Sequence, residues 1–531
     1  MGRQFRTINI NTMSTQSLTH AIKTNLINNV LTALTDNPIY LYYARPIAYQ
    51  SASIPESVDD IETENTIKSN MMSLKKLYKS DLIPGISKVE WSSGITYDQY
   101  ESAGSLVALN FYVVDDNKVF KCINNGGGSP STVKPNEQAD VLSDGYKWKL
   151  MFIIPSGLMR KFGTGNYLPV VEDELQMRSA IPGTLDRVDI IAGGSAYNTF
   201  YNNSVLSYVP IFMKGDGEEN DSATVNIIPT LSEITEVTVV GGGEKYRIVS
   251  DRKVPVQIRQ AEAERLHNFS EGTPFTYAYG LANISPGGTI TNVEIVSGGD
   301  NYIEGIAKVV QSSAIAYAKT TAGVISEVEI EYAGIGFSYI DPIIVSTNGS
   351  GADIEVSISP YGGHGSDPVN ELKASHLMIN TRVIYGENDD FTVDNDIRRL
   401  GFITNVSEFG TDGSVIDAFS DTLSAMELIS TEDDIDISLD ESLFGATGGA
   451  HATIIDKLGD DIRVIRSPGI SNSLDFILGE RVYSPLGDSI INSIQKSEYV
   501  PYSGDILYIN NIDAIERSPN QLESINFILT F

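Results

Sequence analysis

A short phrase recurs in this chain and limits what the chain can fold into: an alternating strand, a small-residue turn, then an aromatic. Its copies read RVDIIAGGSAY (Arg187–Tyr197), EVTVVGGGEKY (Glu236–Tyr246), ITNVEIVSGGDNY (Ile290–Tyr302) and ISEVEIEYAGIGF (Ile325–Phe337). Val293 and Ile295, and Val328 and Ile330, alternate with Asn292, Glu294, Glu327 and Glu329. A period of two marks half-buried strands. Glycine supplies the positive φ such turns need, so Gly299 and Gly334 are expected there. The spacing between copies is unequal, and the region from 182 to 365 reads as a β-repeat module. The phrase contains no nucleophile, base or metal cage. Gly241-Gly242-Gly243 is not followed by a helical pattern and lacks the Walker and dinucleotide fingerprints, so it reads as a turn rather than a phosphate loop.

The 531 residues carry a formal net charge of −32. A phosphate backbone requires a basic face. Lys75-Lys76 and Arg398-Arg399 are isolated pairs, so neither nucleic acid nor an anionic membrane is an expected partner. No apolar run reaches the roughly 18 residues of a membrane span, and MGRQFRTININTMS has no apolar signal core. Production in a cytoplasm is the expectation. Cys122 is the single cysteine and sits in the strand pattern VFKCI, where a buried small hydrophobe is expected rather than a reactive thiol. The acidic run from Glu432 to Glu441 has Leu439 where a calcium loop of the EF-hand type needs glycine, so it reads as a solvated loop.

The chain opens as mixed α and β. Leu18, Ile22, Leu26, Val30 and Leu34 recur every four residues, predicting a helix over 14–36. IYLYYA (39–44) is β-prone. Ile61, Ile67, Met71, Leu74 and Leu77 predict a second helix over 57–79, and 83–91 returns to strand. A third helix is expected, more weakly, near 420–430. NFYVVDDNKVFKCI predicts a hairpin turning at Asp115-Asp116-Asn117, and DGYKWKLMFIIP predicts a strand with Trp148 buried. LFGATGGAHATIIDKLGDDIRVI, FILGERVYS and IINSIQ predict a small β barrel or hairpin stack.

These pieces, with WSSGITYDQY (91–100), NYLPV, RQFRT, NPIYLYYARP and the closing ILYINNIDAIERSPNQLESINFILTF, resemble a known family in the family's order. It is the baseplate wedge protein, gene product eight, of contractile-tailed phages of the T-even type. The resemblance covers roughly 1–177, more weakly 366–404, and 502–531. Residues 182–365 and 406–500 depart from the shorter members and look like inserted modules. The resemblance implies a discontinuous α/β core. Its segments would be 1–95, 366–405 and 502–531. A β domain at 96–181, the glycine–aromatic β repeat at 182–365 and a small β module at 406–501 would be inserted. The expected fold class is therefore mainly β and multidomain, with sandwich or barrel modules in a core built from both ends of the chain. The resemblance also implies a homodimer among other baseplate wedge proteins, in the virion tail baseplate, assembled in the bacterial cytoplasm.

No catalytic, cofactor-binding or metal-binding residues are expected. PYGGHGSDP, from Pro360, places His364 beside Ser366 and Asp367, but sequence neighbours rarely build a triad, and no G-x-S-x-G elbow exists. His364 reads as a loop residue. His20, His267, His376 and His451 lack metal-ligand spacing. The expectation is a non-enzymatic structural wedge subunit that holds its neighbours before and during sheath contraction. The alternatives are a glycan-binding or glycan-degrading tail protein, raised by 26 Tyr, 18 Phe and abundant Asp and Glu on a β scaffold, or a tail-fibre or adhesin component.

Overall fold

The computed structural model describes residues 19–46, 54–101, 110–138, 141–197, 200–202, 206–270, 274–383, 395–467, 475–517 and 523–531. Strands account for 50% and helices for 12%, so the protein is mainly β. The chain divides into two compact units, residues 1–85, 160–164 and 375–531, and residues 86–159 and 165–374.

The first unit is built from both ends of the chain. Its five-stranded sheet runs in the order Thr422–Ser424, Met71–Lys76, Ile39–Ala44, Asn395–Thr404, Asp505–Arg517. Every residue of the central strand Ile39–Ala44 is buried, because both faces of the sheet are covered. Ile39, Leu41 and Tyr43 face one core with Ile27, Leu377, Ile379 and Phe527. Tyr40, Tyr42 and Ala44 face another with Ile67, Met71, Leu74 and Leu423. A strand with period two and two apolar faces reads as a continuous apolar run, which is what IYLYYA is. A second layer pairs His376–Val383 with both Leu82–Ser87 and Glu523–Thr530. Also in this unit, a closed six-stranded barrel runs in ring order Glu427–Thr431, Asp461–Arg466, His451–Leu458, Ser442–Gly445, Arg481–Tyr483, Asp488–Gln495.

The first expected helix forms over the described residues but buries a different stripe, and the other two helix expectations are corrected. The first helix is described from His20 to Asp36, with Leu18 and the predicted start outside the described residues. Ile22 and Leu26 are exposed, while Ile27 is buried with Val30, Leu31 and Leu34 against its core. A spacing of four advances about 40° per step on a helix of 3.6 residues per turn, so the stripe spirals off the buried face. The second helix is only Ile61–Asn70. Met71 and Leu74 belong instead to the strand Met71–Lys76, paired to the central strand with Leu74 opposite Tyr42. Near 420–430 there are strands, Thr422–Ser424 and Glu427–Thr431, and the further helices are short ones elsewhere, such as Ser156–Phe162 and Ala261–Ser270.

The second unit begins with a three-stranded sheet, Tyr112–Asp115, Lys118–Asn125 and Tyr146–Ile153. Asp116 at its first turn takes φ 54°. Phe120, Cys122 and Trp148 pack on one face, and Val119, Met151 and Phe152 on the other, with Val369 and Leu372.

The glycine–aromatic phrase builds the rest of this unit. Gly194, Gly243, Gly299 and Gly334 take φ of 62°, 61°, 65° and 65°. Two residues later Ala196, Lys245, Asn301 and Gly336 take 62°, 63°, 66° and 80°, and the aromatic follows. Each aromatic donates its main-chain N–H to a carbonyl just ahead of another copy. Tyr197 bonds Gly323 O (3.0 Å) and Phe337 bonds Gly183 O (3.1 Å), while Tyr246 bonds Gly288 O (3.0 Å) and Tyr302 bonds Ser232 O (3.0 Å). The copies thus clasp in two pairs, first with fourth and second with third. The inner pair closes a six-stranded half-barrel, ordered Glu233–Gly241, Glu219–Thr230, Gly305–Ser312, Val254–Arg259, Ala278–Ile284, Ile290–Ser297. Its edge strands are tied by Ile234 N to Gly298 O (2.9 Å) and Ile290 N to Gly242 O (2.8 Å). The outer pair surrounds a separate core of Val209, Ile211, Ala316, Ile325 and Phe337. The half-barrel is nested in sequence between Leu206–Gly215 and Ala314–Thr321, two paired strands of that outer layer.

The tyrosine hydroxyls explain the aromatic choice. Tyr246 Oη accepts from Ala223 N (2.8 Å) and donates to Val309 O (2.8 Å); Tyr302 Oη accepts from Ala278 N (2.9 Å) and donates to Ile258 O. Tyr197 Oη accepts from Ala352 N (3.2 Å). In the fourth copy Phe337 has no hydroxyl, and Ala314 N donates to Ser312 Oγ instead (3.3 Å). Tyr302→Phe removes the partner of a buried N–H and is expected to destabilise by on the order of 1–3 kcal/mol. Gly299→Val is expected to do more, because φ is 65° and a Cβ would lie 2.6 Å from Ala278 N. Chemical unfolding of both variants, followed by far-ultraviolet circular dichroism, checks the order.

Candidate functional site

Lys121 interrupts the apolar strand VFKCI and is 0% exposed. Its ammonium contacts the carboxylate of Glu371, itself 3% exposed, and lies 4.0 Å from the centre of the Tyr100 ring. Burying two charges is costly unless each is paired and hydrogen-bonded. Here Glu371 also accepts from Gly365 N (2.9 Å to Oε1) and Asp367 N (3.1 Å). The helix Pro368–Glu371 brings Glu371 inward beside Val369 and Leu372, which pack in the core under Lys121's strand.

His364 completes the cluster. Gly362, Gly363 and Gly365 take φ of 87°, 89° and 89°, a left-handed path open to glycine at little cost. That path turns the imidazole inward, where its Nε2 lies 2.7 Å from Asp186 Oδ2. Its Nδ1 is buried without a hydrogen-bond partner, 3.9 Å from Glu371 Oε2. Burial, and then the charge of Lys121, hold His364 below the ordinary imidazole range despite Asp186. Burial also pushes Lys121 down to about 8 against the opposing pull of Glu371.

His364 stands in a turn, as expected of a loop residue. Its side chain is nevertheless largely buried, beside Asp186 and Lys121, which are far off in sequence, and Glu371 in the short helix that follows. Ser366 and Asp367 do not join it. Ser366 Oγ donates to Gly363 O (2.8 Å), and Asp367 caps the short helix by accepting from Asn370 N (3.0 Å). Cys122 is buried, and burial pushes its thiol up, away from reactivity. His451 stacks on Phe444 and His267 lies edge-on to Phe275. Among the described residues, no three His, Cys, Asp or Glu side chains are grouped to hold a metal ion, and no helix is long and apolar enough to cross a membrane.

A cleft of about 520 Å³ opens in the same unit, lined by Glu101, Arg187, Asp189, Phe337, Glu355 and Tyr361 among others. It lies where the chain enters and leaves the outer layer, at Pro182-Gly183 and Ser359–Gly362. Its buried Arg187 is committed, donating to Tyr100 O (2.9 Å), Glu101 (3.1 Å) and Asp189 (2.6 Å). A second cavity, about 480 Å³, lies beside the barrel in the first unit, where Glu427 pairs with Lys496 at 3.1 Å.

His364 gives stability a pH dependence. Its folded pKa is below the unfolded value, so its contribution is complete above about pH 6.5 and is lost as pH falls from there through the folded pKa. One proton taken up on unfolding corresponds to at most about 1.4 kcal/mol per pH unit. His376 is shifted in the same direction by burial, so the comparison is between wild type and His364→Gln. The variant is expected to show a shallower loss of melting temperature between about pH 6.5 and 5.

In comparisons with known proteins, no family model matches the chain. No curated protein matches it either.

Proposed function

We propose that the protein is a structural wedge subunit of a contractile phage tail baseplate, working as a homodimer among other wedge proteins. The observation that carries this reading is the ordered set of sequence pieces from RQFRT through WSSGITYDQY and KWKLMFIIP to the closing INFILTF. The cluster around Lys121 is compatible with it. Its ionisable groups are enclosed and bonded to one another, an arrangement that ties distant segments together and leaves little room for an incoming substrate. The role is mechanical: neighbouring subunits are held in one arrangement before contraction and in another after it, through interfaces with two packings of similar free energy.

The charge of −32 makes two copies repel at long range, so burial must hold the dimer. Permanent interfaces commonly bury more than about 2,000 Å² and are richer in apolar surface than transient ones. Salt screens the repulsion, with a Debye length of about 8 Å at physiological ionic strength. Sedimentation across a salt series is expected to show a dimer that strengthens or holds as salt rises. A protein that stays monomeric at every salt concentration, and joins no complex with wedge proteins of the same phage, would overturn the reading.

A further inference from the structure

We propose that Lys121 and Glu371 condense to a side-chain amide, an internal covalent cross-link formed by the folded protein itself. The four groups such a reaction needs are gathered at one place. Lys121 supplies the nucleophilic nitrogen, in contact with the Glu371 carboxyl group and 0% exposed. Glu371 supplies the electrophilic carbon, and Gly365 N and Asp367 N already donate to its Oε1, where negative charge develops as nitrogen adds. His364 supplies the proton carrier. With Asp186 accepting from Nε2, the lone pair sits on Nδ1, which is buried, unpartnered and 3.9 Å from Glu371 Oε2.

The step balances without a cofactor or oxidant. The Lys121 ammonium first passes a proton to Glu371 Oε2, with which it is in contact, and the neutral amine then adds to Cδ of the protonated carboxyl group, forming the N–C bond. His364 takes a proton from the nitrogen and returns it to the departing Oε2. The C–O bond breaks and water leaves. An ammonium and a carboxylate become one neutral amide.

Burial favours each stage. It pushes Lys121 down to about 8, which enlarges the fraction of free amine. It removes the water that would reverse the reaction, and it makes the charged pair costly relative to an uncharged product. The fold holds the two groups together, and well-oriented intramolecular reactions reach effective concentrations of about 10⁵–10⁸ M. Amide formation would join the strand Lys118–Asn125 to the helix Pro368–Glu371, 250 residues apart in sequence.

Intact mass of the purified full chain in denaturant tests this. The expected mass is lower than that of the sequence by one water, with a branched peptide joining Lys121 to Glu371 after proteolysis. Lys121→Met is expected to restore the full mass. His364→Gln is expected to slow the water loss by on the order of 10²-fold, leaving full-mass protein in freshly made samples. Wild-type protein of full sequence mass after prolonged native incubation would overturn the proposal. So would a water loss that maps instead to an Asp-Gly pair, at Asp144, Asp216 or Asp412, where a cyclic imide forms by local chemistry.

Discussion

In freshly made His364→Gln protein, where Lys121 and Glu371 remain an ammonium and a carboxylate, adding Lys121→Met is expected to destabilise the second unit by about 3–5 kcal/mol, the cost of breaking a buried pair from one side. Methionine fills much of the same volume, so the effect comes from Glu371. Its carboxylate keeps the N–H donors of Gly365 and Asp367 but loses the ammonium in contact with it, and it stays buried next to the core that holds Val369 and Leu372. In the same background, the double variant Lys121→Met with Glu371→Leu removes both charges and is expected to recover a large part of the loss. Both tryptophans, Trp91 and Trp148, lie in this unit, so fluorescence during urea unfolding reports on it directly. Equal destabilisation by the single and double variants would mean that the pair contributes packing rather than charge.

Removing residues 525–531 is expected to cost on the order of 5 kcal/mol, most of what stabilises a typical domain. Phe527 is 7% exposed and packs edge-on to Phe402. Ile525, Leu529 and Phe531 are half-buried against the same core, which holds Ile27, Leu41 and Leu377. The strand also covers the whole length of His376–Val383, from Thr530 opposite His376 to Glu523 opposite Val383. Its loss would expose an edge of unpaired N–H and C=O groups, a template for aggregation. The shortened protein is expected to be poorly soluble and to be cut rapidly by protease within 20–85. A soluble product with unchanged melting temperature would contradict this placement.

What was legible in the sequence is what short-range geometry dictates. Gly299 and Gly334 could be assigned to positive φ because a turn after an alternating strand requires it locally. A small barrel or hairpin stack could be read from 443 to 495, but its closing strand could not: Glu427–Thr431, where a helix was expected, pairs with Asp488–Gln495 across the whole module. The second helix was overextended because Ile67, Met71 and Leu74 satisfy a helical spacing, whereas the partner that draws Met71–Lys76 into a strand is Ile39–Ala44. The cluster at Lys121 was missed for the same reason. A lysine inside VFKCI and a histidine among glycines each hint at something unusual, yet Asp186 and His364 are 178 residues apart and nothing local links them. The clasping of repeat copies, first with fourth and second with third, likewise depends on turns at Gly183, Ser232, Gly288 and Gly323 that meet the aromatics only in the folded chain.

A reconstruction of the intact contractile tail from electron micrographs tests the wedge assignment most directly. The six-stranded barrel of residues 427–495 and the half-barrel of residues 219–312 are distinctive enough to be located in density. The expected result is two copies of this chain in each baseplate wedge, in contact with each other and with other wedge proteins. A baseplate fully accounted for by other chains, with this protein on the fibres or missing from the particle, would contradict it.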